Sequence, residues 1–276
     1  MRLEGKVAVV TGASMGIGEA IARLFLEEGA SVVFSSRDAV RLEQVRSRAG
    51  HLDRSLAVTC DVRNREEIDR LLSLTVHNFG RCDIWVNNAG HGLMDTVETL
   101  DLQQCRQLFE TNFFGAIGGM QVAIPVMKSQ GGGTVINISS VAGYITVPGS
   151  GAYGATKSAL TAIGRAADLE LRGTGVRVMT VCPGYIATKF AENAVRGNDP
   201  KRLGASGRRG SSAEGVARAT LEGYLKNKQV VVVPWYYQIL IKIYQLFPAL
   251  FDNYMAKNLR PAEKVMAEAK ASSRTE

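Results

Sequence analysis

The strongest constraint on what this chain can fold into lies at its start. A nearly continuous apolar run, Lys6 to Val10, breaks into a glycine-rich turn, Thr11-Gly12-Ala13-Ser14-Met15-Gly16-Ile17-Gly18, and then into a segment of helical periodicity, Glu19 to Glu28. A short run that is apolar at almost every position suits a parallel strand covered on both faces. Glycines allow a tight turn and close backbone approach, and the amides of a helix N-terminus can hold a pyrophosphate. Gly29 ends the helix and Ser31 to Ser35 reads as a second strand, completing a βαβ unit whose second strand ends where an adenosine ribose is met. Ser36 stands there instead of a carboxylate, and Arg37 follows. A hydroxyl and a guanidinium suit a 2′-phosphate, so NADP(H) is the expected cofactor, with NAD(H) as the alternative. Met15 offers no second cation from the turn.

The alternation continues with a strand over Leu56 to Cys60, a helix over Arg65 to Phe79 and a strand over Asp83 to Val86, implying a parallel sheet. Asp61 and Val62, at the end of the third strand, are placed to meet an adenine edge; Asp61 is also a candidate cap for the helix beginning near Asn64. After the fourth strand, Asn87-Asn88-Ala89-Gly90 offers amides to buried backbone and leaves room for a cofactor. With 276 residues, 46% hydrophobic and 21% charged, the chain suits one large α/β domain. The net charge of +7 does not point to nucleic acid, because Lys and Arg are scattered apart from Arg208-Arg209. Cys60, Cys82, Cys105 and Cys182 lack metal-ligand spacing and lie far from His51, His77 and His91, so no metal site is expected. The first residues contain no apolar signal core, and the expectation is a reduced, cytoplasmic protein.

The chemistry concentrates in Ser139 to Lys157. Tyr153 and Lys157, four apart at the start of a helix, share one face. A free tyrosine has a pKa of about 10, and a neighbouring ammonium is expected to lower it, fitting Tyr153 to exchange a proton with a substrate oxygen. Ser140 closes the strand Thr134 to Ser139 and is placed to hydrogen-bond the same oxygen. A helical segment, Leu102 to Ser129, carries Asn112, a poor helix-interior residue whose accessible amide would bend the helix and hold a water linking Lys157 to solvent. Further on, Tyr153 to Arg172 reads as helix and Arg177 to Cys182 as strand. Ile186 and Thr188 in the following loop are set against a nicotinamide, Lys189 to Gly210 is expected to form a mobile lid, and Ser211 to Glu214 forms a capping box.

Together these motifs resemble the short-chain dehydrogenase/reductase family, in the branch with the TGxxxGxG loop, over Lys6 to Val233. The resemblance implies a Rossmann-type, doubly wound parallel sheet of seven strands in three α/β/α layers. It implies catalytic roles for Asn112, Ser140, Tyr153 and Lys157. It also implies a cofactor site built from Thr11, Gly12, Ser14, Gly16, Ile17, Gly18, Arg37, Asp61, Val62, Asn88, Lys157, Ile186 and Thr188. The implied reaction is hydride transfer between nicotinamide and a carbonyl or secondary alcohol of a small-molecule, lipophilic substrate. A non-catalytic nucleotide sensor or scaffold on the same fold is the alternative, and joint retention of serine, tyrosine and lysine argues against it.

Residues 1–233 are expected to form the catalytic domain and 234–276 a C-terminal amphipathic helical extension of it. In Trp235 to Arg260, Gln238, Lys242, Gln245 and Asp252 fall near one helical face of an otherwise apolar segment. Lys242 and Pro248 interrupt the run of about 20 apolar residues that a membrane span needs. Two readings of 235–258 remain: packing in the core or between subunits of a homo-oligomer, or lying on a membrane surface or roofing a pocket for a lipid-like substrate.

Overall fold

The computed structural model describes residues 1–186, 194–196 and 210–258. Thr188, all of Lys189 to Gly210 except residues 194–196 and Gly210, and the tail beyond Pro261 lie outside the described residues.

Seven parallel strands form the central sheet in the order β3-β2-β1-β4-β6-β7-β9. They are β1 (Val7–Thr11), β2 (Ser31–Ser36), β3 (Ser55–Thr59), β4 (Ile84–Asn87), β6 (Gly133–Ile138), β7 (Val176–Pro183) and β9 (Val230–Val233); β5 (Leu93–Met94) and β8 (Val195–Arg196) pair separately. The helices are α1 (Gly16–Glu27), α2 (Ala39–Ala49), α3 (Arg65–Phe79), α4 (Leu102–Phe109), α5 (Gly115–Ser129), α6 (Gly151–Glu170), α7 (Ala213–Leu225), α8 (Tyr236–Leu246) and α9 (Pro248–Asn258). Starting at β1, the chain winds outward to β3 and then returns to the other side through β4. The order therefore reverses beside β1, and a crevice opens beyond the strand ends there.

Alternate strand residues feed two cores. Ala8, Val10, Phe34, Ile84, Val86 and Val181 pack beneath α1, α2 and α7 through Ile21, Phe25, Leu42 and Val216. Val9, Val33, Trp85, Val135 and Val178 pack on the other face against Ile68, Leu71, Met120 and Met127. This is the three-layer Rossmann-type arrangement, and it explains why the strands read as apolar at nearly every position. The second layer contains a satisfied polar ladder. Trp85 Nε1 donates to Asn87 Oδ1 at 2.8 Å, and Asn87 Nδ2 donates to Asn137 Oδ1 at 2.9 Å and to the Ala116 carbonyl at 3.1 Å. Gly119 lies so close that a Cβ there would meet Trp85 Nε1 at 2.5 Å, so only glycine lets α5 reach the sheet.

Four sequence expectations change. The segment Leu102 to Ser129 is not one regular helix: a π-turn over Glu110–Phe114, with the Gly115 amide donating to the Glu110 carbonyl, separates α4 from α5 around Asn112. Asn64, not Asp61, caps α3, and Ser212 rather than Ser211 caps α7 by accepting from the Gly215 amide, so the Ser211 to Glu214 capping box does not form. The C-terminal extension is two helices broken at Phe247 and Pro248, so Asp252 on α9 leaves the stripe of Gln238, Lys242 and Gln245 on α8. Among the described residues no helix is long and apolar enough to cross a membrane.

Candidate active site

The glycine turn leads from β1 into α1 at the reversal point. Gly12 has φ 66° and Gly16 φ 59°, in the left-handed region that favours glycine. A Cβ on Gly12 would also meet the Ala89 Cα at 2.9 Å. Asn88 holds the turn from the next strand: its Nδ2 donates to the carbonyls of Thr11 (2.9 Å) and Gly12 (3.1 Å), while its backbone amide donates to Thr11 Oγ1 (3.0 Å). Side chains cap α2, α3, α4 and α7, whereas α1 begins without a side-chain cap. Helix amides without a cap suit a phosphate, so the turn fits the pyrophosphate of a dinucleotide.

Where the sequence places the adenosine, Ser36 Oγ donates to the Asp38 carbonyl at 3.3 Å and Arg37 is exposed. The Asp61 carboxylate is chelated by Arg63 through Nε (3.0 Å to each oxygen) and Nη2 (2.5 Å). That pairing holds Asp61 below the usual carboxylate range, with the Arg37 charge adding in the same direction. Two guanidiniums therefore act on this end of the crevice. The sequence reading found only Arg37; the signal for the second was its place directly after Asp61-Val62. Val62 lies against Gly115 at the start of α5.

The reactive groups meet beyond β6 and β7. Ser140, with extended backbone, accepts from the Ala142 amide at 3.1 Å and donates to the Pro183 carbonyl at 3.4 Å. The short turn Val141–Gly143 then packs against α6, bringing the Tyr153 hydroxyl into a hydrogen bond with the Ser140 hydroxyl. Lys157, one helical turn on, is 5% exposed; its Nζ donates to the Ile138 carbonyl at 2.9 Å and lies 5.8 Å from the centre of the Tyr153 ring.

The expected direction of the tyrosine shift is reversed in this arrangement. Burial pushes Tyr153 up to about 12, with the Ser140 hydrogen bond pulling the other way. Burial also lowers Lys157 to about 8. The ammonium faces the Ile138 carbonyl rather than the phenol oxygen, so desolvation dominates the tyrosine.

Asn112 is buried, and its amide is not available to solvent. Its Oδ1 accepts from the His91 amide at 3.0 Å, and its Nδ2 donates to the His91 carbonyl at 3.0 Å and to Thr156 Oγ1 at 3.3 Å. The amide thus clamps the loop after β4 to α6 beside Lys157. Asn112→Ala leaves the His91 amide and carbonyl without these partners, at a cost of about 2 kcal/mol. Urea unfolding checks this through a lower midpoint at unchanged m.

Sequence reasoning also missed His91 and Cys182. His91 is half-buried, and burial together with the charges of Arg37, Arg63 and Lys157 lowers its imidazole below the ordinary value. Its only sequence signal was its position directly after Asn88-Ala89-Gly90. Cys182 is fully buried and shares a hydrogen bond with the Tyr144 hydroxyl; burial raises its thiol to about 12, which makes it inert packing beside Lys157. Of the two residues set against a nicotinamide, Ile186 is partly buried and bridges to Ser211, and Thr188 lies outside the described residues.

Residues 6–199 match the family described as short chain dehydrogenase. An uncharacterized oxidoreductase of Staphylococcus aureus (strain MW2) is 37% identical over 201 residues, which is 73% of this chain and 86% of that protein. Among solved structures, a short chain dehydrogenase/reductase from Burkholderia phymatum, in complex with NAD, superposes with a TM-score of 0.82 at 24% identity, covering 91% of this chain and 96% of that one. A short-chain dehydrogenase from Streptomyces avermitilis gives a TM-score of 0.78 at 27% identity over 98% of this chain and 97% of its own.

Proposed function

We propose, from the premise that this chain belongs to the short-chain dehydrogenase family and is an oxidoreductase acting on CH–OH or carbonyl groups with a nicotinamide cofactor, that it reduces a lipophilic carbonyl with NADPH. The observation that carries this reading is the hydrogen bond between the Tyr153 and Ser140 hydroxyls beside the buried Lys157. Hydride donation is the chemistry that a bound nicotinamide supplies. The chain's own groups handle the proton and the charge.

Ser140, fixed by the Ala142 amide, orients the substrate oxygen. Tyr153, with its proton held by burial, is a phenol through the neutral range and serves as donor to that oxygen as negative charge develops there. Lys157 is an ammonium below about pH 8, and its positive charge beside the Tyr153 ring favours the phenolate that forms as the proton leaves. Arg37 and Ser36, with Arg63 nearby and no acid at the ribose position, favour a 2′-phosphate and hence NADP(H) over NAD(H). The lipophilic substrate rests on the apolar group beside Ser140, where Val141, Tyr144 and Ile145 meet Tyr237, Leu240 and Ile241.

The sign of the pH dependence follows. Lys157 loses its proton as pH rises through about 8, and with it the charge beside the tyrosine, so kcat/KM for carbonyl reduction is flat below that value and declines above it. Alcohol oxidation needs a proton acceptor and rises with pH over the same range. Steady-state profiles in both directions check this, and a reduction profile with no break between about pH 7 and 9 would show that the Lys157 charge does not support the proton transfer.

A turnover screen of ketones and aldehydes of increasing chain length with NADPH tests the whole reading. The expected result is oxidation of NADPH that strengthens with apolar length. Tight NADPH binding with no turnover of any carbonyl would instead favour a nucleotide-sensing role.

A further inference from the structure

Helix α8 is apolar on two faces. Tyr237, Leu240, Ile241 and Tyr244 point inward and pack on Val141, Tyr144 and Ile145, the turn that follows Ser140. Tyr236, Ile239, Ile243 and Leu246, spaced 3, 4 and 3 apart, form a second stripe that is 50%, 52%, 43% and 72% exposed. The polar residues Gln238, Lys242 and Gln245 occupy only the remaining narrow strip. The outer stripe runs back to Trp235 and onward through Phe247 to Leu250 and Tyr254, which follow one another at helical spacing on α9. A soluble monomer seldom shows so continuous an apolar surface.

We propose that this outer face of α8 and α9 is the seat of a second copy of the same chain, joined about a twofold axis. Two observations select that occupant. First, eight large apolar side chains that are about half exposed or more, at roughly 100 Å² each, present about 800 Å², the share one partner contributes to a stable interface. Second, from Trp235 to Tyr254 the only charged residues are Lys242 and Asp252. A self-complementary interface sets a patch against its own copy, where like charges would repel, so a charge-poor centre suits it. A helix lying on an anionic bilayer instead carries Lys and Arg along its polar face, and here that face offers one lysine between two glutamines.

The pairing has a consequence for the site. The inner face of α8 holds the turn after Ser140, so a partner seated on the outer face braces the substrate-side wall from behind.

The chain contains its own reporter. Of its two tryptophans, Trp85 is fully buried and Trp235 is 70% exposed, so a collisional quencher reads Trp235. Sedimentation velocity and acrylamide quenching of the intact chain at about 10 µM, a concentration that populates stable homodimers, are compared with the Ile239→Glu/Leu250→Glu double variant. In the expected result the intact chain is an even-numbered assembly with Trp235 shielded. The variant then has half that mass and several-fold steeper quenching.

A monomeric intact chain, a variant with the mass of the intact chain, or a Trp235 fully open to quencher in the intact chain would each overturn the proposal. The quenching result on the intact chain stands even if the double variant folds poorly. Flotation of a monomeric intact chain with vesicles containing phosphatidylserine would also overturn it and assign the face to membrane.

Discussion

Tyr153→Phe will bind NADPH with unchanged affinity and transfer hydride about 10³-fold more slowly, a barrier increase of about 4 kcal/mol. The substitution removes one oxygen and keeps the ring, so the packing of α6 against the Val141–Gly143 turn survives. Ser140 keeps the Ala142 amide and the Pro183 carbonyl as partners and can still orient the substrate oxygen. What is lost is the donor. Lys157 does not take its place, because its Nζ is turned to the Ile138 carbonyl. Single-turnover fluorescence separates the two effects: the binding isotherm should overlay that of the parent while the NADPH signal decays far more slowly. Turnover within tenfold of the parent would assign the proton to Ser140 or to water.

Arg37→Ala will weaken NADPH about 100-fold while leaving NADH within a factor of about two, since only NADPH carries the 2′-phosphate that a charge-assisted, forked contact recognises. Arg63 cannot compensate cheaply. Its guanidinium already chelates Asp61, and withdrawing it would leave a carboxylate facing the adenosine end with one counter-charge fewer. Equilibrium titration with both cofactors on the parent and the variant measures the ratio directly. An unchanged NADPH to NADH ratio would undo the cofactor preference and return NAD(H) to first place.

Local physics made the sheet legible in the sequence. β1, β2, β4 and β6 are covered on both faces, so their apolar runs carry the signal without alternation, and the expected bounds fall within one residue of those observed. The helix Arg65–Phe79 was also readable, because Asn64 caps it and Gly80 ends it. What the sequence hid depends on contacts between distant segments. The direction of the Tyr153 shift is set by where the Lys157 Nζ turns, and the carbonyl that attracts it belongs to Ile138, 19 residues away. The Asn112 amide could be read as a break in a helix, but its clamp on His91 joins residues 21 apart through a π-turn that no periodicity announces. The Phe247-Pro248 break was present in the letters. The broad apolar pattern on either side of it disguised two helices as one.

The join at Gly184 and Val233 carries an evolutionary implication. The amide of Gly184 donates to the carbonyl of Val233 at 2.7 Å, and the Tyr237 ring lies against Gly184 with its Cζ 2.8 Å from where a Cβ would stand. Every proton-handling group lies upstream of this seam, while Tyr237, Leu240 and Ile241 lie downstream of it. On the proposed function, the α8 side of the apolar wall and the proton chemistry are thus written in separate stretches of the chain. If that proposal holds, recombination at Pro234 between relatives exchanges the α8 side of the wall without touching the residues upstream, provided the incoming segment brings an aromatic ring to lie on that glycine.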